Sequence, residues 1–416
     1  MAESQTSVGV KHVRRSNFSA SEIAVLVDEV AVHHTTLNSS FSSTVTNKLK
    51  DSIWEDIANK FNASTATVET MSDYSKMMMN YFGACGVMTN LSLARDLGLV
   101  KMLVEAKAPL TSQQMADKLN LRERYVREIL GALAVGRIIS VDDSSTKFHV
   151  PEDNKGTLDA ISVFARVIPQ MGTRYESIKK CAQPQNHGGM VYNQSDAMFE
   201  VMKEIVVVVK KDMVDTDILP AVSLLLPKLE SGIKVAEFGC ATGYILNQLA
   251  SRFKNSTFLG SDVASEPLVE AREDATRQGL QNITYDTDNI DTISKRYAES
   301  FDWILTRDVI HDLTYPQDAL NEIYRCLKPG GIYSMIDVGI EGGITGNIAN
   351  PSAMFYYSAS TFFCIPESYR KPDSAALGAT WGAPLAREMV AKAGFTIINE
   401  SVSRTDPFEV HFVCQK

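Results

Sequence analysis

From residue 234 onward, the sequence predicts an α/β fold of the Rossmann type, with a mostly parallel sheet covered by helices on both faces. Short apolar runs alternate with amphipathic segments between residues 234 and 337. The last two apolar runs, Phe395–Glu400 and Phe408–Cys414, have no helical pattern between them, so they predict an antiparallel hairpin at the edge of the sheet. A glycine-containing turn after the first strand predicts a ligand site at the carboxyl ends of the parallel strands.

This turn joins a strand to a helix. The strand Lys234–Phe238 leads into Gly239–Gly243, and a helical pattern with apolar residues every three to four positions follows. Small residues let a ligand approach the backbone closely, and the first N–H groups of a helix have no partner within it. The next strand, Thr257–Gly260, ends close to Asp262, whose carboxylate suits the two hydroxyl groups of a ribose. The whole unit is typical of a site for a cofactor that contains adenosine.

The residue that precedes the turn favours one class of cofactor. The carboxylate of Glu237 would repel a pyrophosphate but would attract the amino group of a methionine tail. The stretch resembles the first motif of class I S-adenosylmethionine-dependent methyltransferases, with Ala241 in place of the usual middle glycine, and the edge hairpin matches their seven-stranded sheet. The resemblance implies that Glu237, Gly239, Ala241 and Gly243 hold the methionine portion of S-adenosylmethionine, and that Asp262 binds its ribose. The alternative is an α/β turn that binds no ligand.

Two later strand ends complete the predicted cofactor site. Asp288 follows the strand Ile283–Asp286, at the position where this family usually recognises the adenine amino group. Asn289 is the alternative, because the register could differ by one residue and an amide carbonyl could accept the same hydrogen bond. Arg307, at the end of the following strand, is the last of the predicted cofactor-binding residues.

His311 is the predicted catalytic residue. It follows the end of the strand Phe301–Thr306, which places it over the expected cofactor position. An imidazole titrates near neutral pH, so it can accept a proton from an acceptor group. The region resembles plant small-molecule O-methyltransferases, in which a histidine at this position is the catalytic base. The alternative is that His311 caps the next helix and lines the site without proton transfer.

The long segment Val338–Gly382 is predicted to form the acceptor pocket. It far exceeds the usual connection of about two to six residues in α/β units, and it is rich in aromatic and small residues. Such an apolar insertion would cover the cofactor and exclude water, although a helix pair that only completes the core is the alternative. The predicted pocket residues are Tyr192, Met354, Tyr356, Tyr357, Cys364 and Trp381.

Residues 74–150 are predicted to form a winged helix, from three helical patterns followed by two short strands. The third helix mixes Arg122 and Arg124 with Glu123 and Glu128, which is more typical of a solvated face than of a DNA-reading one. Residues 151–228 are predicted to be a helical linker that contributes to the acceptor cavity, and residues 229–416 the methyltransferase domain. The combination resembles a family found in mycobacteria and nematodes. It implies a small-molecule methyltransferase, often a homodimer.

Residues 14–66 resemble Myb/SANT-like DNA-binding domains in the phrases RRSNFSASEIAVLVDEV and FSSTVTNKLKDSIWEDIANKFNA. The third helix of such domains carries a basic cluster, but here the chain reads STATVETMSDYSKMM. We therefore expect a helical appendage or a partner-docking module. The alternative function for the whole chain is a nuclear DNA-binding regulator in which the methyltransferase half only binds the cofactor.

The composition sets limits on the other function classes. A net charge of −9 gives no general attraction to nucleic acid or to an anionic membrane, and no apolar run is long enough for a membrane span. The six cysteines include no Cys-x-x-Cys pair, so neither a disulfide framework nor a metal site is predicted. A cytoplasmic location is expected, or a nuclear one if residues 14–66 bind DNA. The predicted reaction is methyl transfer to a hydroxyl, thiol or amine group of a small molecule.

Overall fold

The computed structural model describes residues 52–57, 72–185, 188–190, 197–209, 211–340, 343–348, 350–404, 406 and 408–416. The chain divides into two compact units, Met1–Cys85 and Gly86–Lys416. In the first unit, residues 52–57 are helical; the rest of the predicted Myb/SANT-like segment lies outside the described residues. Among the helices that are described, none combines the length and the hydropathy needed to cross a bilayer.

The predicted winged helix is confirmed, with a three-stranded antiparallel sheet in the order β1–β3–β2. Its elements are α1 (Asp73–Asp96), α2 (Leu99–Glu105), β1 (Leu110–Thr111), α3 (Ser112–Leu119), α4 (Glu123–Val135), β2 (Ser140–Val141) and β3 (Lys147–His149). The helix α2 was not predicted. Gly98, which marks the end of α1 in the sequence, has a φ of 79°, and this left-handed turn starts a second helix at once. Leu99, Val100 and Leu103 of α2 are buried in the winged-helix core.

Three helices lead from the winged helix toward the large sheet: α5 (Lys155–Ala165), α6 (Val167–Cys181) and α7 (Ala197–Val209). Within the predicted helical linker, α7 covers the apolar run before residue 210, with Val201 and Ile205 buried one turn apart. Arg95 of α1 holds two of these helices. It donates to the Asp159 carboxylate on α5 at 2.9 Å and to the Glu204 carboxylate on α7 at 2.8 Å.

The predicted seven-stranded sheet is confirmed, in the order β6–β5–β4–β7–β8–β10–β9. Its elements are α8 (Leu226–Ser231), β4 (Lys234–Phe238), α9 (Tyr244–Arg252), β5 (Thr257–Ser261), α10 (Ser265–Arg277), β6 (Ile283–Asp286), α11 (Ser294–Tyr297), β7 (Phe301–Arg307), α12 (Pro316–Cys326), β8 (Leu327–Val338), α13 (Gly343–Gly346), α14 (Pro351–Ala359), α15 (Ile365–Ser368), α16 (Ala383–Lys392), β9 (Thr396–Val402) and β10 (Glu409–Gln415). The five strands from β4 to β8 are parallel to one another, whereas β10 is antiparallel to both β8 and β9. The predicted hairpin therefore lies at the edge of the sheet.

The strands β4 and β7 are buried on both faces of the sheet. Val235 and Leu305 belong to one apolar cluster and Ala236 and Ile304 to the other, as expected when successive side chains point to opposite faces. From β4 the chain builds outward through β5 to β6 and then returns to the other side with β7. Ligands of open α/β sheets bind at such a point of reversal, at the carboxyl ends of the strands.

Candidate active site

A cavity of about 690 Å³ opens at the carboxyl ends of β4 and β7. Its floor is the turn after β4, and Asp262 and Arg307 stand at the ends of β5 and β7. Residues of α6 and α7 from the linker, and of the segment that follows β8, complete its wall. The space is large enough for a nucleoside-sized ligand together with a small second molecule.

Glu237 lies at the floor of this cavity with only 4% of its surface exposed. Its Oε2 atom has no hydrogen-bond partner among the described residues. Burial raises the pKa of Glu237 to about 8, with Arg307 opposing the shift and Asp262 adding to it. A buried carboxyl oxygen with no partner is unfavourable by itself, so this position favours a ligand that brings a hydrogen-bond donor or a positive charge.

The turn after β4 is held in a conformation that keeps the backbone open to a ligand. Gly239 has a φ of 73°, and a Cβ at this position would overlap with the side chain of Val309. Ala241 has a φ of 46°, which explains why a glycine is usual at its place in the motif. Asp262 holds this strained residue, because its Oδ2 atom accepts a hydrogen bond from the Ala241 N–H at 2.9 Å.

Arg307 is surrounded by carboxylates. Its guanidinium lies 3.0 Å from Asp308 and 3.4 Å from Glu409, which comes from β10. Burial lowers the pKa of Arg307, but Glu409, Asp308 and Glu237 more than offset this effect and the net shift is upward. A fixed positive charge thus partly neutralises the acidic floor of the cavity.

His311 lies in a short helical turn after β7 and is 3% exposed. Its Nδ1 atom is 2.5 Å from Oδ1 of Asp337, the penultimate residue of β8, and its Nε2 atom is 3.2 Å from Oδ1 of Asp312. Burial opposes protonation of the ring, but Asp312 and Asp337 outweigh it and raise the pKa of His311 well above its ordinary value. The Asp337 carboxylate favours the tautomer with a proton on Nδ1, which leaves Nε2 directed at the cavity side.

A buried ion pair joins the linker to the segment after β8. Arg174 of α6 donates to Glu367 of α15 at 2.8 Å, and its guanidinium stacks over the ring of Phe363 at 4.7 Å. Burial raises the pKa of Glu367 to about 7; Asp312 adds to this shift and Arg174 opposes it. Arg174 and Glu367 both line the cavity, so this part of its wall is polar although most of the wall is apolar.

The structure brings most of the predicted cofactor-binding residues together. Those that line the cavity are Glu237, Gly239, Ala241, Asp262 and Arg307, together with the predicted base His311. Gly243 lies beneath the lining as the N-terminal cap of α9. Asp288 pairs with Arg296 at 2.9 Å, and Asn289 caps a short helix through the Asp291 N–H. Neither of these two residues lines the cavity, so their contact with adenine stays a prediction.

The predicted acceptor residues are more dispersed. Tyr356 and Cys364 line the cavity, whereas Met354 is 40% exposed and Trp381 packs in the core beneath the sheet. Tyr357 is half-buried outside the cavity wall, and Tyr192 lies outside the described residues. Burial raises the pKa of Cys364 to about 12, so this residue is a thiol and not a thiolate nucleophile in the free protein.

The site also contains residues that the sequence analysis missed. Asp308 directly follows Arg307 in the chain. The others lie next to a site residue in space but far from it in the chain: Arg174, Asp337, Glu367 and Glu409. Of these, Asp337 had a recognisable signal, because an acidic residue at the end of β8 must lie next to the end of β7 in a parallel pair.

Three family models match separate segments of the chain. A methyltransferase domain matches residues 229–364, an Rv2258c-like winged HTH domain matches residues 83–159, and a Myb/SANT-like DNA-binding domain matches residues 14–76. These matches confirm the three resemblances predicted from the sequence.

The curated relatives match part of the chain. The malonyl-[acyl-carrier protein] O-methyltransferase of Bacillus cereus is 30% identical over 111 residues, which are 27% of this chain and 39% of the relative. A ubiquinone biosynthesis O-methyltransferase of Idiomarina loihiensis is 28% identical over 153 residues, or 35% of this chain and 62% of the relative. The match thus spans less than two thirds of either relative's length.

Solved structures match a much larger part of the chain. Human N-acetylserotonin methyltransferase in complex with SAM has a TM-score of 0.56 at 12% identity, covering 83% of this chain and 99% of its own. An O-methyltransferase family protein from Burkholderia thailandensis has a TM-score of 0.55 at 12% identity, with the same coverage of 83% and 99%. At this identity the likeness shows the fold, which is that of class I methyltransferases with an N-terminal winged helix.

Proposed function

We propose that this protein is an S-adenosylmethionine-dependent methyltransferase whose acceptor is a small molecule with a hydroxyl, thiol or amine group. The observation that carries the proposal is the buried oxygen of Glu237, which has no hydrogen-bond partner among the described residues and lies beside an open glycine turn at the reversal point of the sheet. The methyltransferase domain model that matches residues 229–364 supports the same assignment.

The residues around the turn fit this cofactor. The Glu237 carboxylate would accept hydrogen bonds from the methionine ammonium group, and the backbone from Gly239 to Ala241 would contact the tail. Asp262 lines the cavity one strand away, at the position suited to ribose hydroxyls. S-adenosylmethionine supplies an electrophilic methyl group, so that a bond forms between the acceptor atom and the methyl carbon while the carbon–sulfur bond breaks and its electron pair stays on sulfur.

His311 is the proposed base for an acceptor that must lose a proton. Asp337 orients its ring and, with Asp312, stabilises the imidazolium ion that proton transfer would form. The raised pKa makes the neutral ring a stronger base, but it also lowers the fraction of the ring that is neutral at a given pH. Tyr356 and Cys364 would contact the acceptor, and the helical segment around them would exclude water.

Isothermal titration of the purified protein with S-adenosylmethionine tests the proposal. We expect micromolar binding that the Glu237→Ala/Asp262→Ala double variant loses. Glu322→Gln is the matched control, because it removes a largely buried carboxylate of α12 that does not line the cavity. Absence of binding by the wild-type protein would refute the enzyme assignment.

A homodimer is proposed as the working state. Tyr74, Met78 and Phe82 follow one another at intervals of four on α1, and they are 68%, 48% and 77% exposed. A stripe of this kind suits an apolar interface with a second copy of the chain. Light scattering should give a dimer mass for the wild type and a lower mass for Phe82→Glu, with Lys76→Glu as the control on the same helix.

The proposed location is the cytoplasm. The nuclear alternative, with DNA binding by the N-terminal segment, has the Myb/SANT-like match at residues 14–76 as its support. Salt-dependent binding of duplex DNA to the full chain would favour that alternative.

A further inference from the structure

Three side chains with metal-binding groups meet on the cavity wall. His311, Asp312 and Cys364 each present one ligand atom, and these atoms all lie within 4.8 Å of one another. All three residues line the cavity. They come from two separate segments, the turn after β7 and the turn that precedes α15. Imidazole nitrogen, carboxylate oxygen and thiolate sulfur are the ligand atoms that zinc takes in proteins.

The histidine is already held as a metal ligand requires. Asp337 lies 2.5 Å from Nδ1 of His311, and the same Asp337 oxygen accepts the Val338 N–H at 2.8 Å. Metal-binding histidines usually donate their second ring N–H to a carboxylate, which fixes the tautomer and the ring orientation. When Nε2 carries no proton, its lone pair faces Asp312, whose Oδ1 atom lies 3.2 Å away.

The spacing between two of these groups is that of ligands to one ion. Nε2 of His311 lies 3.2 Å from Oδ1 of Asp312. Two ligand atoms of a tetrahedral zinc ion, each at about 2.0–2.1 Å from the metal, are roughly 3.3 Å apart. The Asp312 Oδ1 atom is buried, and among the described residues it forms no hydrogen bond of standard geometry, although Nε2 of His311 lies beside it. A buried carboxylate oxygen is stabilised by a cation at this distance.

We propose that His311, Asp312 and Cys364 bind a divalent metal ion of the zinc type, with the cavity providing the fourth coordination position. Three protein ligands and one open position are the pattern of catalytic zinc sites, whereas structural sites have four protein ligands. Binding the ion requires the Cys364 thiol to release its proton to solvent.

The consequence for the substrate rests on the proposed methyltransferase function. A hydroxyl or thiol group of the acceptor that occupies the fourth position would lose its proton to solvent more readily than the free group. It would still keep lone pairs for attack on the methyl group. An amine would give its single lone pair to the ion, so the site selects acceptors with oxygen or sulfur. If the ion is bound, Nε2 would be a ligand and could not accept a proton, so the ion would take over the role proposed for His311 by making the acceptor group more acidic.

Cobalt(II) titration of the full-length, chelator-treated protein tests this site. We expect one equivalent of Co²⁺ to bind and to give a sulfur-to-cobalt charge-transfer absorption. Cys364→Ser should remove this absorption, and Asp312→Asn should weaken binding at least about tenfold. Cys85→Ser is the matched control, because Cys85 is an exposed cysteine outside the cluster.

Titration of each sample with S-adenosylmethionine separates this inference from the proposed function and also reports on folding. The metal site is refuted if the wild type binds cofactor but shows no charge-transfer band, or if the band persists in Cys364→Ser. Cobalt binding without cofactor binding would instead refute the methyltransferase assignment and leave the metal site in place.

Discussion

At the scale of single residues, buried carboxylates set the chemistry of the cavity. Glu237, Glu409 and Asp337 are each less than 5% exposed, and they face one arginine and one histidine. Such groups are stable when a counter-charge lies close by. An apolar wall combined with an acidic floor suits a ligand that carries positive charge at one end, as a methionine tail with its sulfonium does.

Cofactor affinity should depend on pH through Glu237. The raised pKa, about 8, means that the carboxyl group is protonated below this pH in the free protein. Because the ammonium group of the cofactor binds the carboxylate, binding at pH 7 should release a proton. Affinity should therefore increase from pH 6 to about 8, by up to about tenfold per unit, and level off where the cofactor's own amino group begins to titrate. Calorimetry in buffers of different ionisation enthalpy measures this proton release.

Glu237→Gln is the control for this pH dependence. It should bind at least about tenfold more weakly at pH 8, because a hydrogen bond to a charged group is lost. Its remaining affinity should not change with pH in this range. A wild-type profile that is flat between pH 6 and 8 would contradict the role given to Glu237.

Asp337→Asn should change the histidine without removing it. Since Asp337 raises the pKa of His311, the variant should titrate this ring at lower pH in an NMR experiment on the labelled protein. Methyl transfer to a hydroxyl acceptor should fall about ten- to a hundredfold, while cofactor affinity stays unchanged. Asp291→Asn, at an exposed position outside the cavity, is the control. An unchanged His311 titration would show that the observed contact has no electrostatic effect.

At the scale of elements, the segment between β8 and α16 is a helical cover rather than a loop. The helices α14 and α15 flank a π-helical turn, Ser360–Cys364, that brings Cys364 to the cavity. The Arg174–Glu367 ion pair holds α15 against α6. The Arg174–Glu367 ion pair therefore connects the linker to the cover. Because α15 begins directly after Cys364, this ion pair also helps to fix the position of Cys364.

The stability of this contact can be measured with a double-mutant cycle. Arg174→Met leaves Glu367 buried without its partner, so the free energy of unfolding should fall by about 3–5 kcal/mol. Arg174→Met/Glu367→Leu removes both charges and should recover most of this loss. Denaturant unfolding of the two single variants, the double variant and the wild type gives the coupling energy. Additive losses would mean that the two side chains do not interact in solution.

At the scale of the whole molecule, the fold and the site differ in how well the sequence predicts them. The strands β4 to β8 and the edge hairpin follow from apolar runs and turns, which act over a few residues. Glu237, Asp262 and His311 follow from their places at strand ends. Glu409 and Glu367 do not, because their contacts depend on the register of an antiparallel strand and on the path of a long cover. Neither the register of this strand nor the path of the cover can be predicted from the residues close to it in the sequence.

The second unit should bind cofactor without the first. Every described residue that lines the cavity belongs to Gly86–Lys416. A chain of residues 72–416, which keeps the whole of α1, should therefore bind S-adenosylmethionine within about twofold of the full chain, as calorimetry would measure. A much larger loss of affinity would show that residues 1–71 support the site.

The position of β10 has a consequence during synthesis on the ribosome. β10 lies between β8 and β9, and it brings Glu409 to Arg307. It is also the last strand of the sheet to be translated, so β8 keeps an open edge in the nascent chain until every other strand has emerged. Such an edge can pair with other chains. A delay in translation between β9 and β10 would therefore leave this edge of β8 open to other chains for longer.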